Sequence, residues 1–157
     1  MSHGRVTRRG LGALALLAAA VASGAPARAQ GRSVRVHKDP SCGCCTGWAR
    51  HMEANGFAVT LVDVADLDAV KSRFGVPDEL RTCHTAEVGG YVIEGHVPAA
   101  AIERLLAERP AAAGLAVPGM PVGSPGMEGG TPETYEVILF GPGVRRGYGR
   151  FRGASTV

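Results

Sequence analysis

The chain has 157 residues, 45% of them hydrophobic and 20% charged, with 17 Lys/Arg against 14 Asp/Glu and a formal net charge of +3. Four of the basic residues and none of the acidic ones lie before Gln30, so residues 30–157 carry 13 Lys/Arg against 14 Asp/Glu and are close to neutral. That balance excludes the concentrated positive surface that neutralises nucleic-acid phosphates, and about 128 residues are room for one compact domain, not two.

Residues 1–29 have the parts of a secretory signal peptide. Arg5, Arg8 and Arg9 precede an Ala/Leu-rich stretch from Leu11 to about Ala22, a Ser23-Gly24-Ala25-Pro26 break and Ala27-Arg28-Ala29, with cleavage expected after Ala29. The stretch is too short and too rich in alanine for a membrane span, so no stable insertion is expected after its removal. Export is expected, by the general secretory route or, given Thr7-Arg8-Arg9-Gly10-Leu11, by the twin-arginine route. Residues 30–157 are then the single mature domain.

Along that domain, Val34-Arg35-Val36 alternates as a first strand and stops at the turn-favouring Asp39-Pro40. Cys45, Trp48, Ala49 and Met52 recur at helical spacing up to Asn55-Gly56, and residues 57–64 read as a second strand. Asp66 caps a second helix through Phe74, with Leu67, Val70 and Phe74 on its buried face. This order implies a parallel strand pair joined by a helical crossover. An extended piece from Thr82 to Val88, the turn Gly89-Gly90 and Tyr91-Val92-Ile93 form a hairpin. Val97-Pro98 opens a third helix with Ile102, Leu105 and Leu106 as its apolar face, ending by Pro110. From Ala113 to Pro132 glycine and proline dominate and no regular element is expected. Tyr135 to Phe140 is a last long strand, turned by Gly141-Pro142-Gly143 toward Arg146 to Phe151. The run Arg145, Arg146, Arg150 and Arg152 reads as a solvated hairpin edge. The expected class is α/β.

Chemistry concentrates in Ser41-Cys42-Gly43-Cys44-Cys45 and in Cys83-His84. Cys42 and Cys45 form a C-x-x-C pair after a strand and at a helix start, where unpaired amides and the helix dipole favour a thiolate. Such a pair suits thiol exchange or metal capture. The adjacent Cys44 complicates a simple dithiol switch by offering alternative disulfides, whereas converging thiolates are preferred ligands of Cu(I) and Zn(II). A structural reading is also available in an oxidising compartment, pairing Cys42 with Cys45 and Cys44 with Cys83, or Cys42 with Cys44 and Cys45 with Cys83. It is disfavoured because a second bridge within four residues adds little constraint.

His84 adds a nitrogen beside Cys83, completing an S/N set that zinc accepts as a tetrahedron. Monovalent copper takes two or three thiolates and tolerates thioethers, which brings in Met120 and Met127 of the Gly/Pro segment; their alternative use is gap filling. His96 reads equally as a polar residue near a helix start and as a ligand or partner of a ligand. His51 reads as solvated, His37 as a strand residue and Trp48 as a core anchor able to shield the thiols.

Four blocks together carry a resemblance. They are Asp39-Pro40-Ser41-Cys42-Gly43-Cys44-Cys45 with Trp48 and His51, Cys83-His84-Thr85-Ala86, residues 90–98 from Gly90-Tyr91 to Val97-Pro98, and residues 114–128 with Met120 and Met127. The mature chain resembles the exported bacterial family known as domain of unknown function 411 (DUF411). The resemblance implies a periplasmic protein with a thioredoxin-like core of mixed sheet flanked by helices, to which the residues themselves add a Gly/Pro/Met loop and a C-terminal hairpin. It also implies metal binding linked to copper resistance or homeostasis. Carried onto this chain, it points to Cys42, Cys44, Cys45 and Cys83 as the metal site, with His84, His96, Met120 and Met127 beside it.

The resulting expectation is a non-enzymatic periplasmic protein that binds Cu(I), with zinc as the competing metal, and buffers it or passes it to another periplasmic copper protein or an efflux component. The alternative is a copper-linked thiol-disulfide oxidoreductase using Cys42 and Cys45.

Overall fold

In the computed structural model, which describes residues 31–157, the first strand, β1 (Ser33–Lys38), runs beside β2 (Ala58–Asp63) in parallel, with α1 (Gly43–Ala54) as the crossover. The proposed signal peptide lies outside the described residues. After α2 (Leu67–Arg73) and a short 3-10 turn (Asp78–Leu80), β3 (His84–Val88) returns antiparallel to β1 and turns into β4 (Tyr91–Gly95). Helix α3 (Ala99–Glu108) carries the chain to β5 (Gly114–Val117), parallel to β4. Then β6 (Thr134–Gly141), β7 (Val144–Arg152) and the two-residue β8 (Ser155–Thr156) continue antiparallel. The eight strands form one mixed sheet in the order β2-β1-β3-β4-β5-β6-β7-β8.

Period-2 alternation decides the two faces of the sheet. Val34, Val36, Ile93, Leu115, Val117, Val137 and Leu139 are buried in one cluster with Trp48 and Met52 of α1 and Ile102 and Leu105 of α3. The interleaved Ala116 and Phe140, with Val92 and Ile138, join Val76 and Leu80 in a second. Each fully buried large apolar side chain contributes roughly 1.5–3 kcal/mol.

Two expectations are corrected. Residues 114–117 are a regular strand in the middle of the sheet: hydrogen bonding to β4 on one side and β6 on the other overrides the loop-like composition of the surrounding segment. His51 is half-buried rather than solvated, and its Nε2 accepts the backbone N–H of Ala99 at 3.1 Å. Pro98 offers α3 no side-chain cap, so His51, reaching across from α1, takes that role.

Burial lowers the His51 pKa below its ordinary 6.5, with Glu128 opposing weakly. Its contribution to stability is therefore fully present above pH 6.5 and lost as the pH falls through the lowered value, because the unfolded chain binds that proton first. Thermal unfolding of the metal-free protein across this range is expected to show a shallower acid loss for His51→Gln than for the parent. An identical slope would remove His51 from the cap.

Candidate metal centre

The loop between β1 and α1 is shaped before any cysteine is reached. Asp39 Oδ1 accepts from the Ser41 amide at 2.8 Å and from its hydroxyl at 2.5 Å, and the Asp39 carbonyl accepts from the Cys42 amide at 3.0 Å. The Ser41 hydrogen bonds hold the Asp39 carboxyl below its ordinary range. Lys38, which is buried, donates to the Asp39 and Pro40 carbonyls at 2.9 and 3.3 Å and pairs with Asp63 at 3.0 Å. Cys42 thus stands at the N-cap of α1, its Sγ accepting the Cys45 amide at 3.3 Å. The next three residues place Cys44 and Cys45 in the first turn.

The described structure contains a Cys42–Cys45 disulfide, with Cys44 and Cys83 as free thiols. Cys44 Sγ lies 3.5 Å from Cys42 Sγ and 3.9 Å from Cys83 Sγ. The sulfurs of Cys42, Cys44, Cys45 and Cys83 are all within 4.8 Å of one another, and the same limit encloses a second group of Cys83, His84 and His96. Cys83 belongs to both. Its Sγ is 3.3 Å from His84 Nδ1 and 3.0 Å from His96 Nε2. A Cys/His cluster capable of coordinating a metal ion is therefore present.

The surroundings prepare these groups as ligands. His84 and His96 are fully buried. Burial, helped by the charges of His96 and Lys71, pushes the His84 pKa well down, while the Gly95 backbone opposes this weakly. Burial also lowers that of His96. Both rings are thus held neutral, the form that ligates. His96 Nδ1 donates to the Pro125 carbonyl at 2.7 Å; since a carbonyl only accepts, the proton is fixed on Nδ1 and the Nε2 lone pair faces Cys83. Among the described residues, His84 Nε2 is the one buried side-chain polar atom without a hydrogen-bond partner. Burial, with the neighbouring Cys44 next, pushes the Cys83 thiol up to about 12, so a metal bound there displaces a proton. Trp48 walls the site, its ring 4.6 Å from that of His84 and its Nε1 donating to the Val97 carbonyl at 2.8 Å.

The model of the family described as "Protein of unknown function, DUF411" matches residues 80–127, which contain Cys83, His84, His96, Met120 and Met127. Two solved chains, forms 1 and 2 of a copper resistance protein, copG, are each 48% identical to this chain with a TM-score of 0.72. Form 1 spans 77% of this chain and 98% of its own length, form 2 76% and 97%. The chain belongs to the DUF411 family. No curated protein matches it.

In this DUF411 chain the residues read from the sequence divide by position. Cys42, Cys44, Cys45, Cys83, His84 and His96 converge. Met120 is 40% exposed, with a positive φ of 47°. Met127 is half-buried and follows Gly126, which packs on α1. Three contributions were not anticipated. The Pro125 carbonyl orients His96, and no side-chain pattern announces a carbonyl. The Pro125-Gly126 segment lies so close to α1 that a Cβ on Gly126, whose φ is +90°, would sit 2.5 Å from the Cys44 carbonyl oxygen and 2.6 Å from the Trp48 nitrogen. Finally, Lys71 and Glu94 are buried as an ion pair; the signal was a carboxylate inside the apolar run Tyr91-Val92-Ile93-Glu94.

Proposed function

We propose that this DUF411 protein is a periplasmic Cu(I)-binding protein that buffers copper or transfers it to another periplasmic copper protein or an efflux component. The reading takes residues 1–29 as a signal peptide and 30–157 as a single thioredoxin-like domain. The sheet order β2-β1-β3-β4 with its parallel first pair supports that fold name, as does the position of the C-x-x-C pair at the start of α1. Among the described residues no helix is long and apolar enough to cross a membrane.

One observation carries the proposal: Cys83, shared by two donor groups, brings buried neutral imidazoles against three further sulfurs. Such a soft, nitrogen-supplemented set suits Cu(I), and the copper resistance of the 48% identical relatives points the same way. The shared sulfur also leaves room for more than one ion. Cys42, Cys44, Cys45 and Cys83 are the proposed thiolate ligands, with His84 and His96 as nitrogen donors. The flexible thioethers Met120 and Met127 are proposed to meet the ion first and hand it inward. Zinc is the alternative metal.

The Cys42–Cys45 disulfide favours a second reading, a copper-linked thiol-disulfide oxidoreductase. In it, two electrons and two protons convert the bridge to thiols, and the reverse step ejects metal held by them. Turnover of a disulfide substrate that is lost in Cys42→Ser distinguishes this activity from binding alone.

The deciding experiment reduces the mature protein under anaerobic conditions and titrates it with Cu(I) against a competing chelator, with Zn(II) in parallel and thiols counted throughout. Tight Cu(I) uptake with protection of the thiols and release of protons is expected. Absence of tight uptake of either metal would assign the cluster to disulfide chemistry. In the same assay Gly126→Ala, whose Cβ would collide with the α1 backbone and is expected to push the Pro125 carbonyl away from His96, is expected to weaken Cu(I) binding about 10- to 100-fold, the cost of losing an outer partner of a metal-bound histidine. Parental affinity in that variant would show that His96 needs no such orientation.

A further inference from the structure

Lys71 of α2 and Glu94 of β4 pair at 2.6 Å between Nζ and Oε1, with both side chains withdrawn from water. A buried pair of this kind adds little stability over apolar residues of the same volume, so stability alone does not account for it. Its hydrogen bonds point to a use. Glu94 Oε1 also accepts the Thr82 amide at 2.6 Å and the Thr82 hydroxyl at 3.2 Å, Oε2 accepts the Thr85 hydroxyl at 2.6 Å, and Lys71 Nζ donates to Thr85 Oγ1 at 3.1 Å.

Thr82 and Cys83 lie ahead of β3, outside its ladders. Pairing with β1 begins at His84 and pairing with β4 at Thr85, so no strand offers the Thr82 amide an acceptor. Glu94 supplies it. Gly95, the next residue of β4, supplies the space: its φ is +73°, and a Cβ there would stand 2.5 Å from Thr82 Oγ1. The carboxylate therefore grips the chain one residue before Cys83 and one residue after His84.

We propose that Lys71 and Glu94 are a positioning pair for the metal centre, pinning the Thr82–Thr85 corner so that Cys83 Sγ faces His96 on one side and Cys44 on the other. Lys71 holds the carboxylate in place, and the carboxylate holds the corner. The corner's geometry stands on the hydrogen bonds; its consequence for copper rests on the function proposed above.

Lys71→Met combined with Glu94→Leu replaces the pair by apolar groups and leaves no lone charge behind. The doubly substituted protein is expected to unfold cooperatively like the parent. With the Cys42–Cys45 disulfide kept, Cys83 is expected to react with iodoacetamide about 10-fold faster while Cys44 keeps its rate, read by peptide mass spectrometry, since reactivity follows access. After reduction, Cu(I) affinity is expected to fall about 10- to 100-fold. Combining Lys71→Met with Glu94→Gln restores an acceptor for the Thr82 amide and is expected to return both readouts toward the parent, a rescue that mere core filling does not predict.

Should the apolar combination fail to fold, Thr82→Pro removes the amide donor and leaves the pair intact. Arg81, at φ −63° and ψ 137°, already has a conformation suited to precede proline. A folded variant with parental Cys83 labelling and parental Cu(I) affinity overturns the proposal. If the parent itself takes up no Cu(I) tightly, the functional reading fails, and the labelling rates alone decide the positioning.

Discussion

Cys83→Ser is expected to lower Cu(I) affinity by more than about 100-fold, beyond the usual cost of losing an outer partner, because the one sulfur common to both candidate donor groups is removed. Serine has nearly the same shape, but its hydroxyl is a hard and weakly acidic donor where a soft thiolate is wanted. His84 and His96 would then converge on an oxygen, and the thiols of α1 would lose the one sulfur supplied from outside their own turn. Cys44→Ser touches only the first group and should cost less. The fold should survive, since Cys83 is only half-buried and lies outside the strand ladders. Competition titration of both variants, paired with their thermal unfolding, tests the ranking. Equal losses for Cys44→Ser and Cys83→Ser would mean that the histidine group plays no part in binding.

Trp48→Ala is expected to destabilise the protein by about 3–5 kcal/mol, the range for truncating a buried aromatic to alanine. Trp48 is fully buried in the larger core cluster. It ties α1 to the segment following His96 through its hydrogen bond to Val97 and forms the wall beside His84. The loss should therefore appear twice, as a lower urea midpoint and as weaker metal binding in the fraction still folded. Trp48→Phe keeps most of the apolar contact but leaves the Val97 carbonyl unpaired, which costs about 1–3 kcal/mol. A loss below about 1 kcal/mol in Trp48→Ala would contradict the anchoring role drawn from its burial.

The strands and helices that carry their own pattern were legible. Val34 and Val36 alternate, Cys45, Trp48, Ala49 and Met52 repeat at helical spacing, and Asp66 caps α2 through the Ala69 amide at 2.9 Å. The hairpin of β6 and β7 was likewise announced by Gly141-Pro142-Gly143, and its arginines are exposed as read. Strand β5 was not legible. Four small or medium residues between Pro110 and Pro118 contain no period long enough to read, and the segment is extended because β4 and β6 present it with hydrogen-bonding edges from both sides. For His51, position on a helix was readable, whereas its partner, the Ala99 amide, is 48 residues away and is met only after α3 has packed.

The identity and number of soft donors, their division between residues 42–45 and 83–96, and the export signal expected ahead of them follow from the amino-acid order alone, because residue chemistry and local spacing are properties of the chain. The convergence of Cys83 with both His96 and the α1 thiols required the antiparallel return of β3 beside β1, which sets residues 39 positions apart at 3.9 Å. The tertiary structure also decided that burial lowers the pKa of His84 and of His96, that Pro125 orients one of them, and that a buried lysine and glutamate grip the Thr82–Thr85 corner. Burial, proton location and the close packing of Gly126 on α1 are relations between distant segments. Sequence spacing carries no measure of them.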